Sequence, residues 1–400
     1  MATYYNTPRG ISHDPMPVEV WRHDGQGALF RVELAESVKV TWADRTTGTA
    51  EFDLKLDNMT APLTACDGMY LFVVTLNGHR HVSTPVVAKP YNDGETDEVR
   101  VEFTTASPWN LLTGQLVPPV PDMPLSQQQS SEFFELTGPV ETVVKTLVGI
   151  GADRLDHPVA ILPDLGNGPT VTVSSRFDTV AELVEDALAG TGYRLSLDAW
   201  LPGDEKIGDL SLTKPTIIAD VVPYHDRVGL VWSTVAQDLD KWDMEKTRAT
   251  STQAVVGDRG EGTAQSFALV ESTNEVASPW AKRETYTDVS DDTTTFIEAG
   301  ASELLKAAGS TDLSATVAPA GVWEYGSDGE YPLQFALGDM ATIDLGEPLG
   351  QVRQVVTEVT AELTPTEFSV TPKVSSPDTM ARDIYTALTD LQKRVGRPRR

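Results

Sequence analysis

The chain has 400 residues with 59 acidic against 31 basic side chains, a formal net charge of −28, and an apolar share of 40%. That apolar share excludes wholesale disorder, the length exceeds what one core of about 250–300 residues fills, and the charge repels nucleic-acid phosphate, so no sequence-specific nucleic-acid partner is expected. The lone Cys66 excludes an internal disulfide scaffold, the start "MATYYNTPRG" lacks a secretion-signal pattern, and no apolar run is long enough for a membrane span; folding in a reducing cytoplasm is expected.

Residues 1–27 read as an N-terminal extension, and 28–120 as a first β-barrel. In "RVELAESVKVTW", Val32 and Leu34, then Val38, Val40 and Trp42, recur at even spacing, and "AEFDLKLD" puts Phe52, Leu54 and Leu56 on one face. Asn77-Gly78 between two apolar runs predicts a tight hairpin, because both residues tolerate positive φ. The prolines and Gln/Ser run of "QLVPPVPDMPLSQQQSSE" rule out a core strand and predict a linker, set at 121–135.

Over 136–205 the period changes and a small α/β domain is expected. Val140, Val143, Val144, Leu147 and Val148 predict a helix behind Pro139, stopped by Gly149 or Gly151; Asp178 is read as the N-cap of a second, with Val180, Leu183, Val184, Ala187 and Leu188 as its stripe and Gly190 as its end. Strand patterns return over 206–375, a second β-barrel with a helical insertion. That insertion, "TTTFIEAGASELLKAAG", carries Phe296, Ile297, Ala301, Leu304, Leu305 and Ala308 on one side and Gly309 as its stop. Residues 376–400 predict a C-terminal helix and a basic tail, with Ser376 as cap and Pro377 at the first helical position. The stripe Met380, Ile384, Leu388, Leu391 and Val395 is the candidate trimer or partner interface, packing on its own domain being the alternative; Lys393, Arg394, Arg397, Arg399 and Arg400 crowd the last eight residues. The expected fold class is therefore mainly β with an α+β insert: two antiparallel β-barrels separated by a small α/β domain, with a C-terminal helix.

No catalytic, metal or cofactor-binding residue is expected, and no cofactor. "VVGDRGEGTAQSF" has Gly257, Gly260 and Gly262, but no lysine follows them and the next residues alternate as a strand, so the stretch reads as a turn rather than a phosphate loop. His79 and His81 share one strand face and could supply half a metal site, although an exposed strand face is the plainer reading. "DGETDEV" at 93–99 lacks the twelve-residue calcium frame. "DVSDDTTT" at 288–295 reads as an acidic helix start. The peptidase pattern His-Glu-x-x-His and the nucleophile elbow Gly-x-Ser-x-Gly are both absent.

"TWADRTTGTAEFDLKLDN" followed by "CDGMYLFVVTLNGHRHVSTPVV" resembles the first barrel of phage tail-hub proteins. The order "TRATSTQAVVGDRGEGTAQSFALV", "KRETYTDVSDD", "ELLKAAG", "LGDMATIDL" and "VRQVVTEVTAELTPTEFSVTPKV" is similar to minor tail proteins of long-tailed actinobacteriophages, of the baseplate-hub or tail-tip hub family. The resemblance implies tail-tube-like barrels and a non-enzymatic homotrimer whose barrels form a pseudo-sixfold ring at the distal end of the virion's tail. The implied ring surrounds the DNA exit channel, with tail-tube, tape-measure and tip fibre or spike proteins as partners. Many relatives append a peptidase or lysozyme domain; the chain ends about 25 residues after its last predicted strand, which argues against one. A tail-associated cell-wall hydrolase and a carbohydrate-binding receptor module are the alternatives.

Overall fold

Alternating apolar residues produce the strands that dominate the N-terminal part of the computed structural model, which describes residues 16–32, 37–92, 94, 97–258, 265–272, 279–289, 295–307, 310–317, 324–326, 334–364 and 368–375. The C-terminal stripe Met380, Ile384, Leu388, Leu391 and Val395 lies outside the described residues, as does most of the acidic run at 290–294. The chain divides into a larger unit (Met1–Ala189, Tyr193–Lys241 and Ala315–Val374) and a smaller one centred on Trp242–Ser314.

In the larger unit the first strands are β1 (Val18–Arg22), β2 (Ala28–Val32), β3 (Val38–Ala43), β4 (Thr49–Lys55), β5 (Tyr70–Leu76), β6 (His79–Tyr91) and β7 (Arg100–Ala106). β1 lies within residues 1–27 and sits between β2 and β5 with Val18 and Val20 buried. Asn77 (φ 47°) and Gly78 (φ 84°) make the two-residue turn, with Leu76 opposite His79. Only residues that tolerate left-handed backbone fit there. Phe52 faces Phe103 across β4 and β7, and Phe72 packs on both with ring centroids 4.5 and 5.6 Å away.

Next come α1 (Trp109–Thr113), β8 (Leu116–Val117), β9 (Phe134–Pro139), α2 (Val140–Leu155), β10 (Val159–Ile161), β11 (Thr170–Ser175), β12 (Asp178–Thr179), α3 (Val180–Leu188), β13 (Tyr193–Trp200) and β14 (Thr216–Pro223). Every residue of the two predicted stripes is buried, and together they form one core with Trp109, Leu112, Val117 and Leu195. β10 runs parallel to β14, which pairs antiparallel with β13. The Pro-rich stretch is held by the buried Gln128 amide, bound to Val120 N and O at 2.7 and 2.8 Å.

The helix ends differ from expectation. α3 is capped by Thr179, not Asp178: its hydroxyl accepts from Glu182 N, and Glu182 accepts from Thr179 N, a closed capping box. α2 runs through Gly149 and Gly151 and stops at Asp156, which takes the left-handed conformation. Gly151 provides closeness instead of termination. A Cβ there would overlap the Gln115 side-chain amide and stand 2.9 Å from Val180 Cγ2. Gly151→Ala is therefore expected to destabilise by about 1–3 kcal/mol, overlap outweighing the gain of ~0.5–1 kcal/mol in helix propensity. An unchanged urea midpoint would show that α2 does not depend on this approach.

The remaining strands of the larger unit are β15 (His225–Ser233) and, beyond the smaller unit, β21 (Glu324–Tyr325), β22 (Gln334–Phe335), β23 (Asp339–Asp344), β24 (Gln351–Leu363) and β25 (Phe368–Ser375); β16 (Leu239–Thr247) and β20 (Ser310–Val317) carry the chain out to the smaller unit and back. β24 pairs with β3 on one side, Val359 opposite Trp42, and with β23 on the other, Met340 opposite Val355. One sheet thus runs in the order β25-β24-β3-β4-β7-β6-β5-β1-β2. Among the described residues no sheet closes on itself, which corrects the expectation of two closed barrels. The edge of β3 that a first barrel would have closed is taken up by β24.

In the smaller unit β17 (Gln253–Gly257) lies between β18 (Phe267–Glu271), antiparallel, and β19 (Glu284–Asp288), parallel. The glycine-rich stretch at 255–267 joins a hairpin, as its alternation predicts, although 259–264 lie outside the described residues. Helix α4 (Phe296–Lys306) covers one face, Leu304, Phe296 and Ala299 packing on Ala254, Val256 and Val270. Thr295 caps it in a capping box with Glu298, at 2.8 and 3.2 Å; the aspartates read as its acidic start, Asp291 and Asp292, lie outside the described residues.

Candidate functional site

The turn at Asn77-Gly78 sets the start of β6 beside β3, and this places His79, His81 and Trp42 on the wall of a cavity of about 1290 Å³ in the larger unit. Further walls come from β13, the loop at Leu201–Glu205 and the residues around Tyr325 and Asp339. His81 is 3% exposed, so the strand face read as exposed is in fact interior. Its ring meets Trp42 edge-on at 5.8 Å, and His79 stacks on Tyr325 at 4.4 Å. Tyr325 also touches Trp42 and Phe335, and its carbonyl accepts from Asn77 Nδ2 at 2.9 Å.

Burial lowers the His81 pKa to about 4, against a small opposing pull from the carbonyls of Thr41 and of His81 itself, so the ring is neutral at pH 7. Neither of its nitrogens reaches hydrogen-bond geometry. Burial likewise raises the Tyr325 phenol, which stays protonated.

The charges around the cavity pair with one another. Arg80 grips Asp204 through both guanidinium ends, one at 2.9 Å, and Asp204 also accepts from Leu201 N. Asp44, at the end of β3, accepts from the Tyr224 hydroxyl at 2.9 Å and lies 3.8 Å from Arg194. Arg45 caps the Tyr224 ring at 5.5 Å and donates to Tyr193 O. Asp339 bonds His225 and Arg227 at 3.1 and 3.3 Å; burial still raises its carboxyl above the usual range, against the Ala336 N–H, Arg227 and His225. Gly338 (φ 88°) leaves the space that the Arg194 side chain fills; any side chain there would collide with it.

Chemically this is a set of clamps. Neutral His81 with a pKa near 4 is a weak base at pH 7, Tyr325 is a weak acid, and the hydroxyls of Ser107 and Ser196 are engaged with Gly48 N and Asp198. The described residues contain no group of three or more His, Cys, Asp or Glu able to hold a metal, so His79 and His81 stand without further ligands of those types. Two clamps tie the large sheet to the α/β elements, Arg80 to Asp204 and Asp44 to Tyr224 and Arg194, while Asp339 joins β23 to β15 within the sheet. Sequence reasoning singled out only the two histidines here. Asp44, Arg45, Arg80, Arg194, Asp204 and Asp339 carried no spacing signal, because their partners lie between 110 and 180 residues away or come from other elements.

The model of the Siphovirus ReqiPepy6 Gp37-like protein family matches residues 17–374. The chain belongs to this family. Two solved structures share the fold of this Gp37-like chain. The tail protein of Neisseria meningitidis MC58 is 11% identical with a TM-score of 0.53, covering 92% of this chain and 99% of that one. The 43 kDa tail protein of prophage MuSo2 from Shewanella oneidensis is also 11% identical with a TM-score of 0.53, covering 91% and 99%. No curated protein matches. At such identity the likeness is one of fold: the Gp37-like chain is a siphovirus-family protein built as phage tail proteins are built.

Proposed function

We propose that this Gp37-like protein is a structural component of the siphophage virion: a homotrimeric hub at the distal end of the tail, joining the tube to a tip fibre or spike around the DNA exit channel. The observation that carries this reading is the fold shared with two phage tail proteins over nine-tenths of the chain. Two properties support it. A single sheet tied by the β3–β24 ladder makes a stiff wall for a ring. A net charge of −28 repels the phosphates of DNA passing through such a ring. Tail-tube, tape-measure and fibre or spike proteins are the partners this position requires.

The reading is tested by the mass of the purified protein and by its copy number in virions. A mass of three chains in solution and three copies per tail are expected; another copy number, or density for this chain away from the tip, would overturn it. The cavity clamps hold walls rather than break bonds, so zymography on host cell wall is expected to give no cleared band. Clearing by the purified chain would replace the structural reading with the hydrolase one.

A further inference from the structure

The sheet of the smaller unit has one face covered by α4; on the other face, among the described residues, the side chains of β18 and β19 are exposed. The paired registers place three rows on the open face: Glu271, Gln253 and Glu284; Leu269, Val255 and Tyr286; Phe267, Gly257 and Asp288. Phe267, Leu269 and Tyr286 are 59, 54 and 52% exposed, and the Phe267 and Tyr286 rings lie 6.4 Å apart. This is an apolar centre with carboxylates at both ends.

All-parallel sheets occur almost only with both faces covered, and strands buried on both faces read as continuous apolar runs. Here β17 and β19 are parallel, β17 contains Ala254-Val255-Val256, and β18 reads Phe267-Ala268-Leu269-Val270. Two of the three strands, β17 and β18, are thus apolar on both faces, while β19 reads Glu284-Thr285-Tyr286-Thr287-Asp288; α4 covers one face.

We infer that the second cover is the chain's own C-terminal segment, residues 376–400, lying as an amphipathic helix across β18, β17 and β19. Three properties match. The stripe Met380, Ile384, Leu388, Leu391 and Val395 is apolar on one side only. Its span as an α-helix is about 22 Å, against about 10 Å between the outer two of three strands, so the stripe reaches across all of them. Lys393, Arg394, Arg397, Arg399 and Arg400 supply the positive charge that Glu271, Glu284 and Asp288 call for. The smaller unit becomes a three-layer helix–sheet–helix body, a stable way to bury a sheet apolar on both sides.

The inference does not depend on the hub reading, and its test uses the full chain. With Cys66→Ser as background, Leu269→Cys is paired with Leu388→Cys and treated with a short bismaleimide; an intramolecular cross-link, running at the mass of one chain, is expected. In parallel, maleimide labelling of the Leu269→Cys single variant is expected to be about tenfold faster in a chain ended after Ser375 than in the full chain. Cross-links found solely between chains would overturn the inference and assign the face to the tail of a second copy. Equal labelling with no cross-link would overturn it too, and leave the face to a different protein. Neither failure touches the copy number on which the hub reading rests.

Discussion

Lys145→Ala is expected to destabilise the larger unit by about 3 kcal/mol, the low end of the range for breaking a buried ion pair. Lys145 is buried inside the module and its ammonium binds Glu141 at 2.6 Å, Asp220 at 2.8 Å and the Pro163 carbonyl at 2.8 Å. Burial opposes its charge, but Asp220 and Glu141 outweigh that and hold its pKa above the ordinary value. Glu141 is equally enclosed: burial pushes its carboxyl up, while Lys145 and the N–H groups of Asn167 and Leu165 pull it below its usual range. Removing the lysine strands a carboxylate whose side chain is 2% exposed, whereas Asp220, at 31%, recovers water. The Pro163 carbonyl also loses its donor, while the N–H groups of Leu165 and Asn167 still bind the stranded carboxylate. Combining Lys145→Met with Glu141→Gln is expected to restore at least half of the loss, since the amide oxygen still accepts from the loop and no charge is left buried. Urea unfolding followed through Trp109 and Trp200 reads both; a Lys145→Ala midpoint equal to that of the parent protein would refute the network's role.

Acidification gives the second large effect. His81 has a folded pKa of about 4 against 6.5 when unfolded. As pH falls below 6.5 the unfolded chain takes up a proton that the native state refuses, so the native state loses stability, by about 3 kcal/mol once pH reaches 4. The sign is that of a depressed base: full stability above 6.5, loss between 6.5 and 4. His81→Gln is expected to flatten this slope between pH 6.5 and 5. A residual slope stays because burial also lowers the His157 pKa. Carboxylates held below their ordinary values, such as Asp57 and Glu141, add their own loss only lower, around and below pH 4.5. Stability against pH, measured as urea midpoints for parent and variant, decides it; parallel curves would mean that the ring is protonated in the folded protein.

Local pattern was readable wherever a local rule decides the outcome. The stripes on α2 and α3 are buried residue for residue, and Asn77-Gly78 makes its turn. Both depend on neighbours within four residues. Where two local rules compete, packing chose. Gly149 and Gly151 have the chemistry of a helix stop, but the helix runs through both: at Gly151 a Cβ would overlap Gln115 and Val180, and at Gly149 it would stand 3.2 Å from Ile161 Cδ1. Thr179 displaces Asp178 as the cap because Glu182 lies three residues ahead of it.

The candidate site was much less visible. His79 and His81 were evident as a pair two apart, but whether that face meets water or a wall depends on Trp42 and on Tyr325, some 240 residues further along. Arg80 with Asp204 and Asp44 with Tyr224 follow no periodicity at all, since each pair exists through the meeting of distant elements.

By itself, then, the sequence determined most of the strands, the stripes of α2 and α3 and the acidic charge, since side-chain alternation and charge are properties of short segments. Tertiary structure alone decided that β24 pairs with β3, that among the described residues the sheet stays open where a closed barrel was expected, and that His81 became interior. A strand's edges are hydrogen-bonding groups common to every residue, so which distant strand they meet is set by the packing of the whole chain and leaves no mark in any one segment.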